Sequence, residues 1–171
     1  TALDATSKSG DSEAYLTNCS SLGVAYRRIN LPDSALYYYG KGLEAAMKSK
    51  DYSAVSNLHA NIAVMYISFK QLENAKEHAR EAITYALKEE DALDWLQAYY
   101  ICGSLLVKTG EYDQAINYLH KAYGIASRQQ SPRFRLKVLS ALLPAFQATA
   151  QDDSVRYYLN VCDRFLDELP E

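Results

Sequence analysis

The sequence has no long apolar segment and no surplus of charge of one sign. Its longest mostly apolar run extends from Val138 to Phe146, which is far too short to cross a lipid bilayer. The 18 lysine and arginine residues nearly balance the 21 aspartate and glutamate residues, giving a net charge of −3. We therefore expect no membrane insertion and no electrostatic attraction to nucleic acid.

Motifs for catalysis, cofactor binding and metal binding are also missing. There is no glycine-rich phosphate loop and no HExxH motif, and the three cysteines lack CxxC spacing. His59, His78 and His120 are expected to be isolated structural or solvent-exposed residues. We therefore predict no catalytic residue, no metal site, no cofactor and no enzymatic activity, with the cysteines acting as small core residues.

The composition is that of a folded domain rich in tyrosine. Apolar residues make up 49% of the chain and charged residues 23%, which is typical of folded proteins. The 15 tyrosines suit any place where a large ring is half-buried with its hydroxyl in water. Both helix–helix seams and binding grooves meet that condition, so the count does not distinguish them.

The sequence aligns with itself when residue 11 is matched with residues 51, 91 and 131, and the alignment needs no insertion or deletion. The resulting repeats are 11–50, 51–90, 91–130 and 131–170. Each repeat begins with a residue that is a good helix N-cap, namely Asp11, Asp51, Asp91 and Ser131. A small residue is followed three positions later by a large one, as in Gly23 and Tyr26, which places both on one helical face.

Each repeat is predicted to contain two helices, A and B, joined by a short turn. Acidic residues that suit the start of helix B occur at Asp33, Glu73, Asp113 and Asp153. Helix-breaking residues lie before them, such as Pro32 and the pair Thr109-Gly110. A single helical hairpin cannot bury its own apolar face, but stacked hairpins can, so the sequence predicts an all-α solenoid.

The pattern resembles the tetratricopeptide repeat, in a variety longer than the common form of about 34 residues. Repeat one carries Leu22-Gly23-Val24-Ala25-Tyr26, followed by Ala35, Tyr39 and Gly42, and repeat four is the most degenerate. The resemblance implies a right-handed superhelical α-solenoid of helix-turn-helix repeats that binds a protein or peptide. The segment from Pro32 to Tyr39 is similar to arrays in Bacteroidetes-type regulatory proteins, which implies the alternative of a sensory domain.

The four repeats are expected to form a single solenoid domain. Residues 1–10 align with 41–50, which predicts the tail of a preceding helix B and a chain that is part of a longer array. Natural arrays carry polar capping repeats, and neither end here has one. Self-association through exposed solenoid ends, giving a homo-oligomer, is therefore a third functional alternative.

The resemblance also implies that the A helices line a concave binding face. The candidate partner-binding residues carried over to this face are Arg27, Asn57, Asn61, Val64, Ile67, Tyr100, Ile101, Ser104, Val107 and Lys137. The carboxylate clamp of some family members is not expected, because only Asn61 matches it. Asn57 and Asn61 are one turn apart and are either a partial asparagine ladder for a peptide backbone or two solvated side chains.

Much of this face is apolar. The apolar positions are Val24, Val64, Ile67, Tyr100, Ile101 and Val107. One interpretation is a groove for an amphipathic helix or an extended apolar peptide. The other is that these side chains pack beneath the curved inner face. The basic segment from Arg128 to Lys137 is either a solvated loop or a contact for an acidic partner.

Overall fold

The computed structural model describes residues 12–167, and every regular element in that range is an α-helix. The helices are α1 (Ser12–Arg28), α2 (Pro32–Ser49), α3 (Tyr52–Ser68), α4 (Leu72–Ala86), α5 (Ala92–Thr109), α6 (Tyr112–Arg128), α7 (Pro132–Ala148) and α8 (Asp152–Asp167). The prediction of an all-α fold is confirmed. The predicted tail at residues 1–10 and the predicted cap Asp11 lie outside the described residues.

The odd-numbered helices are evenly spaced along the chain, beginning at Ser12, Tyr52, Ala92 and Pro132. The odd-numbered helices all begin at the second position of a repeat, and α1 pairs with α2 while α3 pairs with α4 as helical hairpins. Acidic residues lie in the first turn of α2, α4, α6 and α8, as expected for helix N-termini. Pro144 lies inside α7, which continues to Ala148.

The predicted N-caps are only partly found. The Asp51 carboxylate accepts a hydrogen bond from the Ala54 N–H at 2.9 Å, and that of Asp91 accepts one from the Leu93 N–H at 2.6 Å. Ser131 occupies the N-cap position of α7, but its side chain caps no backbone group. The following residue is proline, which has no N–H and so reduces the number of donors that need a cap.

Left-handed residues terminate the helices at regular intervals, with the α4–α5 connection as the exception among the described residues. They are Asn30, Lys50, Lys70, Gly110, Gln130 and Ala150. At α3 the Lys70 N–H donates to the Ile67 carbonyl at 3.1 Å and the Gln71 N–H to the Tyr66 carbonyl at 2.9 Å. These bonds form a Schellman motif, which satisfies the last carbonyls of the helix.

The chain divides into two compact units, residues 1–94 and 95–171. In unit one, Leu16, Tyr39, Val55, Leu58 and Met65 belong to the buried core. Gly23 lies against Tyr39, because a Cβ at Gly23 would overlap the tyrosine ring. The small residue of the repeat pattern therefore makes room for an aromatic ring of the paired helix.

Unit two uses the same packing principle with an aliphatic partner. A Cβ at Gly103 would lie 2.6 Å from the Leu119 Cγ. Leu105, Leu119 and Leu142 are buried in this unit. Cys19 in unit one and Cys102 in unit two are also buried, as expected for small core residues, and the side chain of Cys162 lies outside the described residues.

Candidate functional site

A cleft of about 440 Å³ lies between α1 and α3 in unit one. Its walls combine hydroxyl, amide and carboxylate groups with a few apolar side chains. The lining residues are Glu13, Leu16, Thr17, Ser20, Ser21, Asp51, Ser53, Ala54, Asn57 and Leu58. Thr17, Ser20 and Ser21 of α1 thus line the same cleft as Asn57 of α3, which is one of the predicted binding residues.

The two predicted asparagines connect A helices to one another. Asn57 Nδ2 donates to Asp94 Oδ1 at 2.9 Å, and Asn61 Nδ2 donates to Ser20 Oγ at 3.3 Å. Neither side chain is simply solvated, because each is half-buried and bonded across helices. With its NH₂ group held by Asp94, Asn57 retains its amide oxygen as an acceptor for a ligand N–H.

Asp94 is a functional candidate that the sequence analysis missed. It is 6% exposed, and its second oxygen, Oδ2, has no hydrogen-bond partner within residues 12–167. A buried carboxylate oxygen is costly unless it is hydrogen-bonded. In the sequence, Asp94 is one of several acidic residues near helix starts, so no sequence signal distinguishes it.

The apolar candidates of unit one are only partly available to a partner. Val64 and Ile67 are half-buried, whereas Val24 packs against the core cluster. Arg27 is half-buried beside Tyr39. Burial raises the pKa of the Tyr39 hydroxyl, and the neighbouring Arg27 charge partly opposes that rise. Of the two interpretations given for the apolar positions, inward packing is therefore the one that fits Val24.

In unit two, the structure brings two predicted residues together. The Lys137 ammonium lies 4.6 Å from the centroid of the Tyr100 ring and 5.6 Å from that of Phe134. This is a cation–π arrangement, which holds the exposed lysine over a half-buried ring. Tyr100 and Lys137 are therefore neighbours on the A helices α5 and α7.

The other candidates of unit two differ in exposure. Ile101 is 6% exposed, so it offers a partner little surface and mainly packs inward. The Ser104 hydroxyl is buried without a hydrogen-bond partner in the described part of the chain, and Val107 is half-buried.

None of the three histidines is isolated, contrary to expectation, since His120 Nδ1 also lies 3.5 Å from the Tyr158 hydroxyl oxygen. His59 on α3 and His78 on α4 approach to 2.9 Å between their Nδ1 atoms, so one ring donates and the other accepts. Burial, and secondarily the charge of His78, lower the pKa of His59 to about 4. Burial also lowers the pKa of His78, although Glu77 and Glu81 oppose this. His59 and His78 occupy different repeat positions on different helices, so no sequence pattern pairs them.

Among the side chains that the structure describes between residues 12 and 167, no three from histidine, cysteine, aspartate or glutamate come together as potential metal ligands. In the same range, no helix combines the length and the apolar character that a membrane span requires.

A sequence profile of the tetratricopeptide repeat matches residues 56–89 and 96–129. These two segments occupy equivalent positions in repeats two and three, in agreement with the internal alignment. No curated protein sequence matches the chain. The resemblance inferred from Gly23, Tyr26 and their equivalents is thereby confirmed for repeats two and three.

Solved structures with the same fold cover nearly the whole chain. BtubC (BKLC) from P. vanneervenii has a TM-score of 0.80 at 16% identity, covering 94% of this chain and 68% of its own. Aspartyl phosphate phosphatase F from Bacillus subtilis has a TM-score of 0.75 at 17% identity, covering 97% of this chain but only 44% of its own.

A third structure contains repeats of the expected type. TPR-like repeats of a putative kinesin light chain from Podosopora anserina give a TM-score of 0.70 at 16% identity, covering 90% of this chain and 76% of theirs. Identities this low establish similarity of fold alone. Together with the all-helical structure, these matches show that the fold is a TPR-like α-solenoid.

Proposed function

We propose that this chain, which carries tetratricopeptide repeats, is a non-catalytic scaffold that binds an extended peptide in the α1–α3 cleft. Folds of this type generally mediate protein–protein interaction and are typically not catalytic. We further propose that the chain is divided into the repeats 11–50, 51–90, 91–130 and 131–170, and that the A helices of these repeats form the binding face.

The observation that carries the proposal is the chemistry of the cleft. A peptide backbone presents alternating N–H and C=O groups that lose their water on binding and need new partners. Thr17, Ser20 and Ser21 can donate or accept, and Asn57 offers its amide oxygen. Leu16 and Leu58 add apolar contact.

The charge of the side chains that line the cleft indicates which peptides it would bind. Glu13 and Asp51 both line the cleft, and no lysine or arginine is among its described lining residues. An acidic rim favours a ligand with a lysine, an arginine or a free amino terminus. The proposed ligand differs in this respect from the amphipathic helix or extended apolar peptide that the apolar positions of the helix-A face suggest.

A peptide-display selection on the purified chain tests the proposal. We expect the recovered peptides to be enriched in basic residues. In fluorescence anisotropy, Ser21→Arg should weaken the best peptide by about tenfold or more, equivalent to about 1.4 kcal/mol, because it places a large cation at the cleft. Ser68→Arg makes the same change at an exposed serine at the end of α3 and should leave affinity within about twofold, since Ser68 lies more than two helical turns beyond Leu58, the last lining residue on that helix.

Two results would contradict this function. One is equal affinity of the parent and Ser21→Arg chains for every selected peptide, with unchanged helicity in both. The other is a selection that enriches no sequence while light scattering shows the chain binding only to itself, which would favour the self-association alternative.

A further inference from the structure

A second groove of about 440 Å³ lies between α5 and α6, entirely within unit two. Trp95 and Tyr99, one turn apart on α5, form an aromatic wall. Lys121, Gly124 and Arg128 line it from α6, where their spacing places them on one helical face. None of these residues belongs to the predicted binding face.

The equivalent place in the preceding hairpin is filled by the protein's own rings. There, the Lys88 ammonium lies 4.1 Å from the Tyr85 ring centroid. Tyr85 in turn stacks on His59, with the centroids 5.8 Å apart and the ring planes inclined by 5°. The α3–α4 hairpin therefore carries a complete stack of histidine, tyrosine and cation.

The next repeat keeps a cation at the position of Lys88 and an aromatic ring at the position of His59, but it has no ring at the position of Tyr85. Arg128 corresponds to Lys88 and Tyr99 to His59, whereas Ile125 replaces Tyr85. The neighbouring position changes from Thr84 to Gly124. The α5–α6 hairpin thus has a basic residue and an aromatic wall without the ring that separates them in the preceding repeat.

The space above Gly124 is open. A Cβ built at Gly124 would meet only the Arg128 Nη1, at 3.9 Å, which is an ordinary van der Waals contact. A glycine inside a helix costs roughly 1 kcal/mol relative to alanine, so packing and propensity alone do not favour it here. Its effect on the structure is to leave room beneath the Arg128 guanidinium.

The groove is also positively charged. The Lys121 ammonium lies 5.4 Å from the Tyr99 ring centroid, and Arg128 adds a second cation. No aspartate or glutamate is among the described residues that line the groove. This contrasts with the acidic α1–α3 cleft, so the two places select ligands of opposite charge.

We propose that the α5–α6 groove binds an aromatic side chain of an acidic peptide segment. The ligand's ring takes the place that Tyr85 occupies in the preceding hairpin, stacked against Tyr99 and Trp95 and beneath Arg128. Acidic residues beside that ring pair with Lys121 and Arg128. The site is separate from the α1–α3 cleft, and either can fail without the other.

The fluorescence of Trp95, the single tryptophan of the chain, reports directly on this groove. The probe is an acetylated and amidated pentapeptide with one central phenylalanine between two pairs of glutamates. We expect a saturable change in tryptophan emission on titration. Replacing the phenylalanine by leucine, or the glutamates by glutamines, should each weaken binding by about tenfold.

Two variants of the protein test the geometry. Gly124→Leu fills the groove and should weaken the peptide by about tenfold or more while preserving or raising helix stability, since leucine is the better helix former. Arg128→Ala removes the cation and should weaken peptide binding by a similar factor. Arg156→Ala deletes an exposed cation on α8 and serves as the matched control, with affinity expected within about twofold.

Three outcomes would overturn the inference. They are a parent chain whose emission does not change up to millimolar peptide, a Gly124→Leu chain that binds as well as the parent, and a leucine peptide that binds as well as the phenylalanine peptide. Ser21→Arg should leave this titration unchanged, which separates the result from that of the α1–α3 cleft.

Discussion

At the scale of single residues, the glycines show which positions the packing restricts. Gly23 and Gly40 lie on the paired helices α1 and α2, but their surroundings differ. A Cβ at Gly23 would overlap the buried Tyr39 ring, whereas nothing lies within 4 Å of a Cβ at Gly40. The first glycine is required by close packing, and the second carries only the conformational cost of glycine in a helix.

We therefore expect opposite effects from the same substitution at the two positions. Gly23→Ala should lower the free energy of unfolding by about 1–2 kcal/mol, because overpacking of a buried ring exceeds the gain in helix propensity. Gly40→Ala should raise it by about 0.5–1 kcal/mol. Urea unfolding followed by circular dichroism measures both, and changes of the same sign would refute the packing explanation.

At the scale of elements, the α3–α4 hairpin is held together by a row of rings. His59 and His78 share a hydrogen bond, Tyr85 stacks on His59, and Tyr66 stacks on His78 with centroids 5.5 Å apart. The pair needs one ring nitrogen to accept, so it is lost when both histidines are protonated. The stability of this hairpin should therefore depend on pH.

The expected dependence is a loss of stability in mild acid. His59 has a folded pKa of about 4 against 6.5 for the ordinary side chain, so the unfolded chain binds more protons between these values. Stability is fully present above pH 6.5 and is lost as the pH falls towards 4. Between pH 7 and 5 we expect the free energy of unfolding to fall by about 1 kcal/mol. This figure is already reduced for solvent screening of the half-buried ring.

His59→Gln provides the control for this prediction. The variant has no titrating ring on α3, so its free energy of unfolding should change less over the same pH interval. Chemical unfolding at pH 7, 6 and 5 compares the two chains. Parallel curves for the parent and the variant would show that other groups cause the acid sensitivity.

At the scale of the whole molecule, the two compact units should open with some independence. In repeat proteins each hairpin contacts its neighbours only, so a local defect weakens nearby hairpins most. One buried cysteine lies in each unit, Cys19 in the first and Cys102 in the second. Burial raises the pKa of the Cys19 thiol, which further slows its reaction while folded.

Thiol labelling in mild urea measures that independence. In a Cys162→Ser background, Val138→Ala should accelerate alkylation of Cys102 more than that of Cys19, and Val55→Ala should do the reverse. Both valines are fully buried, and each loss costs about 1.5–3 kcal/mol, enough for about tenfold in local opening. Equal acceleration at both cysteines would show that the chain unfolds as one cooperative body.

The sequence by itself determined the helices and the fold class. The recurrence of Gly23 and Tyr26 at equivalent positions, together with acids at the second helix starts, predicted paired helices and an all-α fold, which the structure has. These features are local, because a helical face and a helix N-terminus depend on residues within a turn or two.

Tertiary structure alone decided which side chains meet. The bond from Asn57 to Asp94, the contact of His59 with His78, and the open space at Gly124 depend on how far each helix is rotated and how closely it approaches the next. An ångström of approach or a small rotation separates a hydrogen bond from a solvated side chain, and repeat position does not specify either. The contacts across helices, and with them the candidate sites, therefore required the folded chain.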